Sequence, residues 1–341
     1  MNEGPAVPDL ADRTRAAIAH AAPAASVVSV IALPGGASSL TYLATLAGAP
    51  WEQVVVKVAP PGLAPVRNRD VLRQARVFDS LAGATGICVP TVLGTDTGAP
   101  PDVPPLFVMS FEEGESVEPF TESDADKVPS PDVVEARELA AARMLGALHA
   151  VDVRSAAFAD EPRLTPLSEV ERWSKTFASL DEDLRPPNAD QCRQRLEAGV
   201  PDAVAPTIIH GDFRLGNMLC RGTDIAAVID WEIWAIADPR IDLAWFLLMA
   251  DPTRPQNKRT GMGMPAAERL LDEYERASGR EVVDLGWFAA LVRYKQAAAA
   301  GFIAKNNRRG ASGDPTADLH GHHGVALIDA ALRHLDARQQ S

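Results

Sequence analysis

The run IIHGDFRLGNMLCRGTDIAAVIDWEIWAIADPRID, residues 208–242, constrains this chain more than any other, because it sets two polar clusters at the ends of a short apolar hairpin. Ile208 and Ile209 read as a buried strand ending at His210, and the loop beyond exposes Asp212, Arg214 and Asn217 where the apolar signal stops. Residues 218–220 and 225–229 read as two strands. Pairing them around Thr223 and Asp224 as a two-residue turn sets Asn217 opposite Asp230. An amide oxygen and a carboxylate are thereby expected to meet, with Asp212 outside the pair and available to take a proton.

Such oxygens suit Mg²⁺, a hard cation that takes one or two protein ligands and completes its shell with water and substrate phosphates. An Asp, an Asn five residues later and an Asp closing the next hairpin follow the kinase order of base, metal ligand and second metal ligand, here Asp212, Asn217 and Asp230. With His210-Gly211-Asp212 and Asp230-Trp231, the sequence resembles the aminoglycoside phosphotransferase and choline kinase-like family of kinase-like enzymes. Within it, HGDFRLGN, VIDWE and ADPRIDLA resemble the branch of kinase-like domains found in acyl-CoA dehydrogenase fusion proteins. His210 reads as structural, since Mg²⁺ does not favour imidazole. Asp238-Pro239 reads as a helix start, so Asp238 and Asp242 carry no assigned chemistry.

A chain of 341 residues has room for two lobes, and its formal charge of −13 with a pI near 5.0 argues against nucleic acid or an anionic membrane as the main partner. Cys88, Cys192 and Cys220 have no metal-like spacing and the N-terminus places acids before any apolar run, so a reduced cytoplasm is the expected setting. No stretch approaches the roughly 18 apolar residues of a membrane span.

Ahead of that run, residues 9–22 read as a helix, and 26–33, 40–47 and 54–59 as three antiparallel strands. Between the first two strands, Gly35 and Gly36 allow close backbone approach and Ser38 and Ser39 supply hydroxyls. The resemblance implies a short phosphate loop there, in which Gly36, Ser38 and Ser39 touch the nucleotide. Lys57 stands in an apolar strand and needs an anionic partner, either ATP phosphate or, on an edge strand, solvent. A helix over 69–82 is expected to pack on the strands. The family's glutamate partner for the lysine is replaced by Gln74, which can bond an ammonium without neutralising it, and Asp70 is a second candidate. A strand over 89–93, a loop over 94–105 and a strand over 106–109 follow, and the resemblance makes Met109, Ser110 and Phe111 the adenine-binding hinge.

Beyond the hinge the pattern turns helical, over 133–150, 266–278, 287–304 and 324–337, with polar helical patches between 151 and 206. His149 reads as packed. His320, His322 and His323 cluster without acids or cysteines, which leaves a metal site the weaker reading. The expected fold is α+β and bilobal, protein-kinase-like, with a small antiparallel-sheet lobe over 1–109 and a mostly helical lobe over 110–341. The resemblance implies transfer of the γ-phosphoryl group of ATP to the hydroxyl of a small molecule, with a hydroxyacyl-CoA as acceptor. An aminoglycoside or other antibiotic acceptor, and a catalytically silent nucleotide-binding module, stand as alternatives. A protein kinase is disfavoured, because Asp238-Pro239 follows Asp230 too soon for an activation segment.

Overall fold

The computed structural model of the protein describes residues 7, 9–33, 39–154, 158–254, 256–308 and 317–338, with backbone alone over 317–322. In chain order its elements are α1 (Leu10–Ile18), β1 (Ser26–Ala32), β2 (Leu40–Ala47), β3 (Gln53–Val58), α2 (Val71–Leu81), β4 (Val92–Asp96), β5 (Leu106–Ser110), α3 (Pro131–His149), α4 (Pro166–Ala178) and α5 (Ala189–Ala198). There follow β6 (Thr207–Ile209), β7 (Met218–Arg221), β8 (Asp224–Val228), β9 (Ala235–Ala237), α6 (Arg240–Ala250), α7 (Ala267–Ser278), α8 (Leu285–Arg308) and α9 (Ala317–Arg338). Two compact units result, residues 1–115 with 217–234, and residues 116–216 with 235–341. The sequence-based boundary at Met109 falls inside β5.

In the first unit five strands pair antiparallel in the order β1-β2-β3-β5-β4. Alternation along β3 sends Val54, Val56 and Val58 into one core with Ile18, Leu46 and Leu106, and turns Val55 and Lys57 to the other face. On that second face Lys57 lies opposite Phe107 and Val55 opposite Met109. Phe107 meets Phe78 of α2 edge-on at 6.0 Å, and Phe78 meets Trp231 at 6.3 Å. The helix thereby packs on both the sheet and the segment just past Asp230.

The strand expected over 89–93 forms three residues later, as β4, and takes in Gly94, which the sequence placed in a loop. Glycine is usually a strand breaker, but here a Cβ at position 94 would stand 1.9 Å from the carbonyl oxygen of Ala17. Close approach of α1, not a turn, selects it. The terminal helix is also longer than expected, beginning at Ala317.

In the second unit, helices enclose a core built on Phe177, Leu196, Trp287, Phe288, Tyr294 and Leu327. A short β6–β9 pair, unforeseen for β9, sets Ile208 beside Ile236 at the mouth of the His210 loop. Among the described residues no helix is long and apolar enough to cross a membrane.

Phe78 is buried and joins two aromatic contacts. Phe78→Ala is expected to destabilise the first unit by about 3–5 kcal/mol. Urea unfolding should show this as a lower midpoint, and an unchanged midpoint would deny the cluster its structural weight.

Candidate active site

The β7–β8 hairpin closes differently from the sequence expectation. Arg221 pairs with Asp224, so Gly222 and Thr223 make the turn, with Gly222 at φ +58°, where a side chain is disfavoured. An extra residue, Ala226, bulges from β8 between the Leu219–Ala227 and Cys220–Ile225 pairs. At the open end, Ile229 N–H donates to the carbonyl of Asn217 at 2.9 Å. Asn217 therefore stands opposite Ile229, not Asp230 as expected, because the turn lies one residue earlier and the bulge shifts the register. Asn217 itself is buried.

Asp230 follows the hairpin with φ +66°, a left-handed conformation that costs energy for any residue with a Cβ. Trp231 anchors the segment, fully buried, with Nε1 donating to Val228 O at 3.0 Å. Arg73 and Trp234 hold the far side reciprocally. The guanidinium donates to Trp234 O at 2.9 Å and lies 4.0 Å from the indole centroid, while Trp234 Nε1 donates to Arg73 O at 3.2 Å.

Lys57 lies on a central strand with its side chain 12% exposed, which removes the edge-strand alternative. Its Nζ donates to Gln74 Oε1 at 3.3 Å and lies 3.7 Å from Asp230 Oδ1, whose side chain is 44% exposed. Asp70, the second candidate partner, instead caps α2, accepting from Arg73 N at 3.0 Å. Gln74 Nε2 and Ser39 Oγ are buried and have no hydrogen-bond partner among the described residues. Gly36 and Ser38, and the side chains of His320 and His322, lie outside the described residues. At the sheet's other end Met109 is buried and Phe111 exposed. Ser110 N–H is committed to Thr91 O at 2.8 Å.

In the second unit Asp242, wholly buried on α6, accepts His210 N–H at 2.5 Å and Gly211 N–H at 2.8 Å. Burial alone would push its carboxyl up, but His149, 3.8 Å away, and His210, which donates its amide, hold it below the usual carboxylate range. His149, pushed down by burial, is packed as expected, with Nδ1 2.8 Å from Tyr274 Oη. His210 holds the loop, its Nδ1 accepting Asp212 N–H at 3.2 Å. Helix α6 begins at Arg240 with Pro239 at its N-cap, one residue later than expected, and Asp238 Oδ1 accepts Arg240 N–H at 3.0 Å and pairs with the Arg240 guanidinium.

Asp212 presents a carboxylate 26% exposed. Trp245 Nε1 donates to its Oδ1 at 2.8 Å and Arg214 Nε lies 3.2 Å from Oδ2, with Arg214 Nη1 donating onward to Glu118 at 3.0 Å. Burial would lower the Arg214 pKa, yet Asp212 and Glu118 outweigh it and keep the guanidinium firmly charged. Glu118, Trp245 and Lys295, whose Nζ donates to Gly211 O at 2.6 Å, escaped the sequence reading. Only Lys295 carried a signal, a charge within the apolar residues of α8.

Residues 29–291 match the family model described as "Phosphotransferase enzyme family", APH. The chain belongs to that family. This phosphotransferase is 27% identical over 306 residues to acyl-CoA dehydrogenase family member 10 of Mus musculus, an alignment covering 84% of the chain and 27% of the relative. It is 33% identical over 147 residues to acyl-CoA dehydrogenase family member 11 of Homo sapiens, covering 39% and 18%. The chain thus spans about a quarter or less of these relatives' length. Among solved structures it resembles a Ralstonia eutropha JMP134 protein described as an aminoglycoside phosphotransferase (TM-score 0.74, 22% identity, 91% and 92% covered). It also resembles aminoglycoside phosphotransferase APH(4)-Ia in ternary complex with ADP and hygromycin B (TM-score 0.59, 15% identity, 92% and 97% covered). The kinase-like fold expected from the sequence is thereby shown.

Because the Asp242 carboxyl is held below its ordinary value of 3.8, its contribution to stability is full above that value and is lost as pH falls through the lower folded one. Asp242→Asn is expected to cost roughly 1.5–3 kcal/mol near neutrality, the worth of bonds to a charged acceptor, and to flatten the acid limb of the stability curve. Denaturation series between pH 2 and 7 test this. Parallel wild-type and variant curves would show that another group governs acid unfolding.

Proposed function

We propose that this phosphotransferase is an ATP-dependent small-molecule kinase with a hydroxyl acceptor. The observation that carries the reading is the Asp212 carboxylate, part-exposed and oriented by Trp245, on a loop whose amides are held by buried Asp242. Asp212 takes the proton of the acceptor hydroxyl as that oxygen bonds to the γ-phosphorus. The bond from phosphorus to the β–γ bridging oxygen breaks, and ADP leaves with the electron pair.

Lys57 steadies the phosphates, its direction set by Gln74, with Gly36, Ser38 and Ser39 at the phosphate loop. Two buried donors support this, since Ser39 Oγ and Gln74 Nε2 lack partners among the described residues and phosphate oxygens accept from such groups. Met109, Ser110 and Phe111 border the adenine. Asn217 and Asp230 would hold Mg²⁺, for which an amide oxygen and a part-exposed carboxylate are suitable hard donors. Bound there, the ion would neutralise charge on the β- and γ-phosphates.

For the acceptor we favour a hydroxyacyl-CoA. The alignments with acyl-CoA dehydrogenase family members support it. An aminoglycoside is the second reading, favoured by the net charge of −13 and by the hygromycin B complex of a structural relative.

Asp212→Asn is expected to lower turnover about 100-fold or more with nucleotide affinity nearly unchanged. Asp230→Asn should weaken nucleotide binding, and ATP should stabilise the wild type in Mg²⁺ far more than in EDTA. Identical defects in the two variants, or equal stabilisation in EDTA, would undo this division of roles.

An ATP-consumption screen of hydroxyacyl-CoA esters, aminoglycosides, macrolides, choline and amino alcohols, scored by acceptor mass, is expected to show phosphorylation of a CoA ester. Efficient transfer to an aminoglycoside alone would overturn the acceptor, and nucleotide binding without transfer to any compound would point to a silent module.

A further inference from the structure

We propose that Lys295 is a positioning residue for Asp212, fixing the direction of its carboxylate by holding the Gly211–Asp212 peptide plane. The inference rests on the reading of Asp212 as the base. Lys295 projects from α8 and is 7% exposed. An ammonium is costly to bury, and burial does push this one below its ordinary pKa, with Arg172 of α4 adding to the effect. The charges of Asp212, of Glu169 on α4 and of Asp242 on α6 act the other way. A methionine would fill much the same space without that cost, so packing does not explain the residue.

Its contacts do. Lys295 Nζ donates to Gly211 O at 2.6 Å, and the N–H of the same peptide unit, that of Asp212, donates to His210 Nδ1 at 3.2 Å. One plane is thus held at both polar edges. The peptide before it is fixed through Gly211 N–H to Asp242. Lys295 Nζ also lies 4.0 Å from the centroid of the Trp245 ring, whose Nε1 donates to Asp212 Oδ1 at 2.8 Å, and 5.9 Å from that of Trp173. The lysine therefore reaches Asp212 by two routes, through its backbone and through the indole that orients its side chain. Its hydrogen-bond partner is a carbonyl, which identifies orientation, not charge neutralisation, as the task.

The test replaces Lys295 with Met, which keeps length and removes the donor, and with Gln, which keeps a neutral donor. Indole ¹⁵N–H spectra, with the Trp245 signal identified by Trp245→Phe, read the geometry without any assay. In Lys295→Met the Trp245 signal is expected to move toward its position in Asp212→Asn, while that of Trp234, bonded within the first unit, stays. Turnover should fall about tenfold or more, with nucleotide affinity within about twofold. In an Asp212→Asn background Lys295→Met should cost almost nothing further, because its effect runs through that carboxylate. Lys295→Gln, which keeps a donor toward Gly211 O but loses the cation over the Trp245 ring, should retain much of the turnover that Lys295→Met loses, and carries the comparison if the Met variant does not fold. An unmoved Trp245 signal in Lys295→Met, turnover as low in folded Lys295→Gln as in Lys295→Met, or a full tenfold loss added to Asp212→Asn would each overturn the inference. A shifted Trp245 signal in a protein that transfers phosphate to nothing would instead overturn the reading of Asp212 as a base.

Discussion

Asp242 accepts two consecutive amides, from His210 and Gly211, while wholly out of water. A carboxylate there is tolerable because its lone pairs accept those two amides, with the imidazole of His149 3.8 Å away. The dependence is mutual. Without that acceptor the loop would leave two N–H groups buried and unpaired, and its tight course from β6 to Asp212 would have no reason to persist. His210, Lys295 and Trp245 add their bonds to a loop already fixed at this point, so the direction of Asp212 is set by a chain of contacts that begins inside α6.

The first unit solves a similar problem with less charge. Lys57 stands on the interior of a five-stranded sheet, where neither edge exposure nor a glutamate relieves it. Gln74 supplies one oxygen at 3.3 Å and Asp230 one at 3.7 Å. A neutral partner leaves the lysine's positive charge less compensated than a carboxylate would, and Asp230 becomes its acidic neighbour. Arg73 and Trp234, bonded to each other in both directions, then fix α2 against the segment that carries Asp230.

Much of this was legible in the residues. Lys57 stood out as a charge in an apolar strand, and the order of Asp212, Asn217 and Asp230 pointed to the family that residues 29–291 then matched. What escaped was non-local or rested on backbone conformation. The turn at Gly222 and the bulge at Ala226 moved Asn217 off Asp230 by one residue, a shift no alternation pattern reveals, since both registers keep apolar residues in line. β4 took in a glycine because α1 passes against it, and β9 formed because β6 offered an edge. Asp242 looked like an ordinary first-turn acid. Its task depends on a loop more than thirty residues away in the chain.

Asp230 carries two demands at once, a left-handed backbone and an oxygen beside Lys57. The first admits glycine, asparagine and aspartate with least penalty, and the second admits carboxylates. Their overlap is a single amino acid. An alanine placed here reports both losses merged into one number, whereas asparagine subtracts the charge alone and glycine relaxes the backbone while removing the side chain. Glutamate, the chemist's conservative choice, would keep the charge and meet the conformational penalty in full, so at this position resemblance of functional group is a poor guide to tolerance.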